Sequence, residues 1–263
     1  MLPINSVYLG DCLEVMKQID DKSIDMILCD LPYGTIEQNW DKPLDTRELF
    51  KQYRRIIKDL GCICLMISYP KAIDVLFENR DIFKYDAVWV KPNKTNFANA
   101  KNRPLRQHEI VYIFSKATTA NGSDFKMNYN PQGLVKIDRP MVHNSNRKTP
   151  SYQGIRNNYQ GNEYIQEFTN YPSTIITTNK KENGLHPTQK PVALFEYLIK
   201  TYTNEGNVVL DNCAGSGTTG VACKNLNRNY ILIEKEPKYF DVIKKRIQEY
   251  EIRDKEKETT TTR

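Results

Sequence analysis

Two kinds of hydrophobic pattern alternate along the chain. Short continuous apolar runs, typical of buried strands, are followed by segments in which apolar residues recur three or four positions apart, as on one face of a helix. The runs predict strands at 6–9, 24–29, 62–67, 85–90, 109–114, 208–210 and 230–233. Because strands and helices alternate, the sequence predicts βαβ units and an α/β fold with a mainly parallel sheet.

The helical segments have recognisable ends. Asp11 precedes a helical pattern from Leu13 to Ile19, so it either caps that helix or faces the ligand crevice. A helix with apolar positions between 49 and 57 is expected to end at Gly61, because glycine tolerates left-handed backbone. Further helices are expected at 73–77, from 191 to an end at Gly206, after the glycine-rich loop to 226, and from 237 to 247.

The composition changes at about Lys116. From there to about Gly184 the chain is rich in Asn, Gln, Tyr, Arg and Lys and has little periodic apolar pattern, which predicts an insertion outside the core. These residue types bond phosphates and base edges or stack on bases, although a flexible polar loop is the alternative interpretation. The basic stretch from Lys91 to Arg106 precedes the insertion. The charged, threonine-rich tail from about 254 is expected to be disordered.

The net charge and the cysteine content indicate the kind of partner and the cellular compartment. The net charge of +6 favours an acidic partner such as nucleic acid, although a solvated basic surface gives the same value. The six cysteines lie mostly in apolar runs and lack the spacing of a zinc site, so reduced core thiols and no metal are expected. There is no apolar run long enough to cross a bilayer and no signal pattern, so we expect a soluble cytoplasmic protein.

The first candidate site is Asp30-Leu31-Pro32-Tyr33-Gly34, which follows the apolar run 24–29. In a parallel sheet, the loops beyond the carboxyl ends of the strands form the ligand crevice. An acid beside an aromatic residue there is placed to hold a flat polar molecule. A strand-end turn with a capping Asp and a packed Tyr is the alternative for this motif taken alone.

The second candidate site is a glycine-rich loop after the strand 208–210. Gly215, Gly217 and Gly220 satisfy the G-x-G-x-x-G spacing, and Glu234 ends the next strand, where a ribose-binding carboxylate is expected. The pattern indicates a nucleoside cofactor, because glycines let the backbone approach the ligand. A dinucleotide is disfavoured, because only one strand and one helix remain after the loop and the helix that follows it directly.

Taken together, these motifs resemble the β-class amino-group DNA methyltransferases that use S-adenosylmethionine. Those proteins carry D-P-P-Y first, then a target-recognition region, then H-P-T-x-K-P leading into D-P-F-x-G-S-G-T-T. The matching stretches here are 30–33, about 116–184, 186–191 and 211–219. The resemblance implies a doubly wound, mainly parallel, seven-stranded Rossmann-like sheet. It divides the chain into a catalytic half (1–115), a target-recognition insertion (116–184), a cofactor-binding half (185–253) and the tail (254–263).

The resemblance implies how the target base is held. The Asp30 carboxylate and the backbone carbonyl of Leu31 or Pro32 accept the two hydrogens of the target amine and turn its nitrogen toward the methyl group. Tyr33 stacks on the base after it is flipped from the duplex. No covalent intermediate is needed, and Asp30 is suited to take the proton that the amine loses.

The resemblance also implies the cofactor site. Asp211 and the loop from Gly215 to Thr219 are assigned to the methionine side, Glu234 to the ribose hydroxyls and Asp11 to the adenine edge. Lys190, with Thr188, is assigned to the methionine carboxylate. The full predicted set is Asp11, Cys12, His186, Thr188, Lys190, Asp211, Cys213, Ala214, Gly215, Ser216, Gly217, Thr218, Thr219 and Glu234.

Three residues depart from the family pattern. Leu31 replaces the first proline of D-P-P-Y, which preserves a backbone carbonyl and changes only the stiffness of the loop. Asn212 and Cys213 replace Pro and Phe before the glycine loop, which removes an apolar contact with the cofactor and predicts weaker binding.

The predicted function is therefore a sequence-specific DNA adenine-N6 methyltransferase, because an acid at position 30 is the family tendency for adenine. The alternatives are a cytosine-N4 methyltransferase, a DNA-binding protein with an inactive fold, and an enzyme that modifies RNA or protein. Double-stranded DNA, a second copy of the chain and a cognate restriction endonuclease are the expected partners. The basic residues expected to contact DNA are Lys91, Lys94, Arg103, Arg106, Arg139, Arg147 and Arg156.

Overall fold

The computed structural model describes residues 2–32, 44–142, 163–178 and 189–261. Within them the chain forms two compact units. The larger unit comprises Met1–Asn130 and Thr174–Arg263, and the smaller unit comprises Pro131–Ser173.

An eight-stranded sheet organises the larger unit. Its strand order in the described residues is β1-β10-β9-β2-β3-β5-β4-β8, and every neighbouring pair is parallel except β3–β5 and β5–β4. The strands are β1 Ser6–Leu9, β2 Ile24–Asp30, β3 Ile57–Met66, β4 Phe83–Thr95, β5 Arg106–Phe114, β8 Ile175–Thr177, β9 Val208–Asp211 and β10 Asn229–Glu234. The predicted mainly parallel sheet is confirmed. The strand beyond the seven expected is β8, which pairs with the outer edge of β4 and lies within the predicted insertion.

Helices cover both faces of this sheet. They are α1 Cys12–Met16, α2 Thr46–Ile56, α3 Lys71–Glu78, α4 Val192–Tyr202, α5 Thr218–Asn225 and α6 Pro237–Thr261. Buried residues of α1, α2 and α3 share one apolar cluster with Ile27 and Cys29 of β2. Buried residues of α4, α5 and α6 share a second cluster with Met26 and Leu28. Because alternate side chains of one strand point to opposite faces, β2 lies at the centre of a doubly wound fold.

The predicted end of the second helix is wrong. Asp45 caps α2 by accepting from the amides of Arg47 and Glu48, but α2 ends at Ile56 and β3 begins at the next residue. Gly61 lies inside β3, where a Cβ would stand 2.8 Å from the backbone oxygen of Asp25. Gly61 therefore permits the close approach of β2 and β3 and does not end a helix.

The final helix differs from the sequence expectation in length. The α6 backbone continues to Thr261 and passes through 254–261, where we expected a disordered tail. The segment 254–258 alternates acidic residues with lysines, and Glu and Lys are strong helix formers, so local propensity favours continued helix. No helix in the described residues is long and apolar enough to cross a membrane.

The smaller unit is a two-stranded antiparallel sheet of β6 Val135–Val142 and β7 Glu163–Thr169. Next to the sheet, the Asn170 side chain donates to the carbonyl oxygen of Gly133 at 2.6 Å. This unit lies within the predicted insertion. The preceding segment belongs to the larger unit, because Ala117 and Met127 are buried in its core.

Strand direction decides which residues reach the carboxyl edge of the sheet. Asp30 at the end of β2 pairs with Met66 at the end of β3, and Met66 pairs with Val111. Because β5 is antiparallel to β3, the residues before Val111 extend beyond the carboxyl ends of the parallel strands. The N-terminal half of β5 therefore lies at the same edge as the ends of β2, β9 and β10.

Candidate active site

Asp30 is held at the edge of the sheet by the strand that it ends. The residues from Ile24 to Cys29 are buried, whereas Asp30 is half-buried. The amide of Leu31 donates to the carbonyl oxygen of Met66 at 3.0 Å, and the Leu31 side chain is buried. A proline at position 31 has no amide hydrogen, so the departure from the family motif adds a bond to the sheet. Pro32 follows, and Tyr33 lies outside the described residues.

A chain of alternating charges surrounds Asp30. Lys190 Nζ donates to Asp30 Oδ2 and also lies 3.2 Å from Glu109 Oε2. Lys91 Nζ lies 3.4 Å from Glu109 Oε1 and donates to Thr95 Oγ1 at 3.0 Å. We call these four residues the charge cluster: Lys91, Glu109, Lys190 and Asp30. It joins side chains from β2, β4, β5 and the segment before α4.

Burial makes these interactions stronger than surface ion pairs. The Lys190 side chain is 7% exposed, and burial alone disfavours its cation. The Asp30 and Glu109 carboxylates outweigh burial and raise the pKa of Lys190 above its usual value. Burial raises the pKa of Glu109, but Lys190 and Lys91 lower it below its usual value overall. Both partners are therefore charged at neutral pH.

Glu109 was not among the predicted site residues. It is a single carboxylate at the start of a predicted strand, and the sequence pattern alone does not show that β5 runs antiparallel. A charged residue inside an otherwise apolar strand was the available signal. Lys190 was predicted, but for the cofactor carboxylate, and the structure places its ammonium group between Asp30 and Glu109.

The loop after β9 is tied down by Asp211. Thr219 Oγ1 donates to Asp211 Oδ2, and the amide of Cys213 donates to Asp211 Oδ1 at 3.1 Å. Asp211 is buried, and burial raises its pKa to about 7, although these two hydrogen bonds oppose the shift. Asp211 therefore holds the two ends of the glycine loop together.

Glycine is required at two positions of this loop and its helix. Gly217 has a φ of +77° and precedes α5, and a Cβ there would lie 2.9 Å from the Ile243 side chain of α6. A Cβ on Gly220 would lie 2.8 Å from Leu232 Cδ1. These glycines let α5 pack closely against β10 and α6.

The outer side of the glycine loop is held by α6. Arg246 Nη1 donates to the carbonyl oxygen of Ser216 at 3.1 Å and to Thr218 Oγ1 at 3.2 Å. Thr218 Oγ1 in turn lies 3.4 Å from the carbonyl oxygen of Lys190. Ala214 is buried, and its amide donates to the carbonyl oxygen of Ile233 at 3.0 Å. The loop is thus fixed to both β10 and the segment that carries Lys190.

Glu234 and Asp11 stand at the ends of adjacent strands. Glu234 Oε2 accepts from the amide of Gly215 at 2.7 Å, Oε1 accepts from the amide of Glu236 at 2.9 Å, and burial raises the pKa of Glu234. Asp11 caps α1 by accepting from the amide of Leu13 at 3.0 Å. Each carboxylate keeps acceptor capacity beyond these bonds.

Of the two residues that replace Pro and Phe before the glycine loop, Asn212 is buried and Cys213 is half-buried against the core. Asn212 is buried, and its Oδ1 accepts from the hydroxyl of the fully buried Tyr53 at 2.6 Å. Cys213 contacts the thiols of Cys12 and Cys29, and burial raises the pKa of Cys29 to about 11. These thiols are protonated at neutral pH and act as small core side chains. All six cysteines are free.

The structure separates the predicted DNA-contacting residues. Lys91 belongs to the charge cluster, and Arg106 donates to Ser68 Oγ at 3.2 Å. Lys94 and Arg103 are exposed in the larger unit. Arg139 is exposed on β6 of the smaller unit. Arg147 and Arg156 lie outside the described residues, as do His186 and Thr188, which were predicted to bind the cofactor.

The side chains at this edge fit a nucleoside cofactor. Carboxylates at two adjacent strand ends suit ribose hydroxyls, and the loop from Gly215 to Gly217 presents backbone without side-chain bulk. In the part of the chain that the structure describes, no group of three His, Cys, Asp or Glu residues is arranged to hold a metal ion.

Sequence comparison identifies relatives along nearly the whole chain. A family model described as DNA methylase, of the N6/N4 methyltransferase type, matches residues 24–245. The type II methyltransferase M.HinfI of Haemophilus influenzae is 30% identical over an alignment of 273 residues. The alignment covers 94% of this chain and 69% of that protein. The type II methyltransferase M2.MboI of Moraxella bovis is 26% identical, over 93% of this chain and 88% of that protein.

Solved structures share the fold. The M1.HpyAVI complex with S-adenosylmethionine has a TM-score of 0.59 and 28% identity, over 92% of this chain and 98% of that chain. The cytosine-N4-specific PvuII DNA methyltransferase has a TM-score of 0.60 and 19% identity, over 90% of this chain and 84% of that chain. The second similarity concerns the fold alone.

Proposed function

Because the chain belongs to the DNA methylase family of N6 and N4 methyltransferases, whose members use S-adenosylmethionine, we propose that it methylates the N6 nitrogen of adenine in DNA. The observation that carries this proposal is the Asp30 carboxylate, which the end of β2 and the Lys190 ammonium group fix at the carboxyl edge of the sheet. A carboxylate in that place is suited to an exocyclic amine.

The chemical difficulty lies in the amine. Its lone pair is delocalised into the base, so the nitrogen is a poor nucleophile until that lone pair is localised. The Asp30 carboxylate and the carbonyl oxygen of Leu31 or Pro32 accept its two hydrogens and orient the lone pair out of the ring plane. Tyr33 is assigned by its motif to stacking on the flipped base.

S-adenosylmethionine supplies an electrophilic methyl group on a positively charged sulfur. The nitrogen–carbon bond forms as the sulfur–carbon bond breaks, and the nitrogen then loses one proton. The alkylated, protonated nitrogen is strongly acidic, so the Asp30 carboxylate that accepts its hydrogen bond takes that proton, although the ion pair with Lys190 weakens Asp30 as a base. The protein needs no covalent attachment to the base.

The residues around the glycine loop bind the cofactor. Glu234 accepts from the ribose hydroxyls, Asp11 lies toward the adenine edge, and the backbone of the glycine loop contacts the methionine portion. Lys190 donates one N–H to Asp30 and its Nζ lies 3.2 Å from Glu109 Oε2, and a remaining N–H is suited to the methionine carboxylate. Cys12, Cys213 and the residues Ala214, Ser216, Thr218 and Thr219 shape this pocket.

The insertion 116–184 is assigned to reading the DNA sequence. In the insertion, the two-stranded sheet of the smaller unit exposes Arg139. The stretch 91–106, which precedes the insertion, exposes Lys94 and Arg103. Cations of this kind hold the phosphate backbone and set the register of base contacts. Two relatives are named as type II methyltransferases, which supports a cognate restriction endonuclease as a partner in the cell.

Expression in a bacterial host that lacks DNA methyltransferases tests the proposed function. Genomic DNA from cells with the wild-type protein is hydrolysed to nucleosides and analysed by mass spectrometry. We expect N6-methyldeoxyadenosine with the wild-type protein and much less of it with Asp30→Asn. N4-methyldeoxycytidine in place of the adenine product would overturn the assignment of the target base.

A further inference from the structure

The charge cluster contains one carboxylate more than the proposed chemistry uses. Asp30 faces the target amine and Lys190 donates to Asp30, but the proposed chemistry gives no role to Glu109 or Lys91. Glu109 lies between the two lysines, 3.2 Å from Lys190 Nζ and 3.4 Å from Lys91 Nζ. The two carboxylates and two ammonium groups give the cluster a net charge of zero.

Burial makes this neutrality important. The side chains of Lys190, Lys91 and Glu109 are 7%, 13% and 18% exposed, so water screens their charges poorly. Among the described residues, Glu109 Oε2 is a buried oxygen without a hydrogen bond, and Lys190 Nζ lies 3.2 Å from it. Without the Glu109 carboxylate, two buried ammonium groups would face each other and the cluster would carry one positive charge.

A positive cluster beside Asp30 conflicts with methyl transfer. The methyl donor carries a positive sulfur, and the amine becomes positive as the new bond forms. Lys190 is ion-paired with Asp30, the residue that holds the amine. Its positive charge therefore opposes both the positive sulfur and the developing positive amine, unless a carboxylate neutralises it.

We propose that Glu109 is a positioning residue of the methyl-transfer site, which holds Lys190 between two carboxylates and neutralises it so that a cationic methyl donor is accepted beside Asp30. Its effect on cofactor binding rests on the family's use of S-adenosylmethionine. Its effect on the rate of transfer to DNA rests on the proposed function.

The decisive experiment compares two ligands that differ by the methyl group and the charge on sulfur. Calorimetry gives the Kd of S-adenosylmethionine and of S-adenosylhomocysteine, whose sulfur is neutral. Glu109→Gln preserves the shape of the side chain and removes its charge. It should weaken binding of S-adenosylmethionine about tenfold more than binding of S-adenosylhomocysteine.

Two further variants separate charge from structure. Glu109→Gln combined with Lys91→Met returns the cluster to zero charge and should restore the wild-type ratio of the two Kd values. Lys91→Met alone leaves the cluster negative and should shift the ratio in the opposite direction, toward S-adenosylmethionine. This single variant decides the question even if Glu109→Gln does not fold. Glu78→Gln, which removes a carboxylate from an ion pair with Arg47, is the control and should leave the ratio unchanged.

The proposal is overturned if Glu109→Gln weakens both ligands equally, if the double variant binds worse than the single one, or if Lys91→Met leaves the ratio unchanged. Single-turnover methylation of DNA by Glu109→Gln should also be about 10- to 100-fold slower than by the wild type. If the wild-type protein methylates no DNA, the proposed function fails, and the comparison of the two ligands still decides the role of Glu109.

Discussion

Asp30 connects the local structure of this chain to its chemistry. Its backbone ends the central buried strand, and its carboxylate is both an ion-pair partner of Lys190 and the proposed acceptor for the target amine. A neutral amide of the same shape keeps one acceptor oxygen but cannot take the proton that the amine loses.

Asp30→Asn should therefore lower the single-turnover rate of methyl transfer by about 100- to 1,000-fold. The affinity for S-adenosylhomocysteine should change by less than about threefold, because its sulfur is neutral and Glu109 still holds Lys190. Rapid-quench kinetics and calorimetry give the two quantities. A variant that transfers at the wild-type rate would show that Asp30 does not act on the amine.

Asp211 makes the stability of the protein depend on pH. Its folded-state pKa of about 7 lies above the ordinary value of 3.8, so the folded protein binds this proton more tightly than the unfolded chain. The stabilisation is complete below the ordinary value and is lost as the pH rises through about 7.

The Tm of the wild type should fall between about pH 5 and about pH 8, and the fall should be smaller in Asp211→Asn. Calorimetric unfolding across this range measures both slopes. Glu234, whose pKa burial also raises, is present in both proteins and gives a shared background. Identical slopes in the two proteins would contradict a raised pKa at Asp211.

The hydrogen bond between Tyr53 and Asn212 explains a departure from the family pattern in structural terms. Tyr53→Phe leaves the buried Asn212 Oδ1 without this donor and should lower the free energy of unfolding by about 1–3 kcal/mol. Tyr8→Phe, which removes an exposed hydroxyl bonded to the carbonyl oxygen of Pro3, is the control. Its loss should be below about 1 kcal/mol in denaturant titration. Equal losses of unfolding free energy in the two variants would show that the buried hydrogen bond stabilises the fold no more than the exposed one.

At the scale of elements, the sequence predicted where strands and helices lie better than where they end. The strand β1 matches its predicted range, because a short apolar run between turn residues determines it locally. The boundary between α2 and β3 was missed, because pairing of Ile57 with Ile24 in the sheet outweighs the local helical pattern. The orientation of β5, and with it the position of Glu109, depends on pairing partners that local patterns do not specify.

Gly61 gives an element-scale test. Gly61→Ala places a Cβ 2.8 Å from the Asp25 carbonyl oxygen, and the resulting strain between β2 and β3 should cost about 1–3 kcal/mol of unfolding free energy. Gly122→Ala, at a φ of +78° with no atom within 4 Å, is the comparison for backbone strain without crowding and should cost about 1–2 kcal/mol. If Gly61→Ala is as stable as the wild type, β2 and β3 do not approach as closely as the structure shows.

At the scale of the whole molecule, the order of the motifs predicted the family better than any single motif did. The D-L-P-Y motif, the polar insertion and the glycine loop occur in the order of one family, and the match to residues 24–245 confirms that membership. The resemblance that these motifs carry implied the doubly wound sheet. The partners of Lys190 could not be predicted, because they come from β2 and β5, which the sequence does not bring together.

The most direct test of the central claim uses S-adenosylmethionine with a trideuterated methyl group and unmethylated genomic DNA. After incubation with the purified protein, the DNA is hydrolysed and each nucleoside is analysed by mass spectrometry. We predict the label on N6 of deoxyadenosine, at one recurring sequence when the DNA is also read by single-molecule sequencing. Label on deoxycytidine, or on no nucleoside although the cofactor binds, would contradict the account.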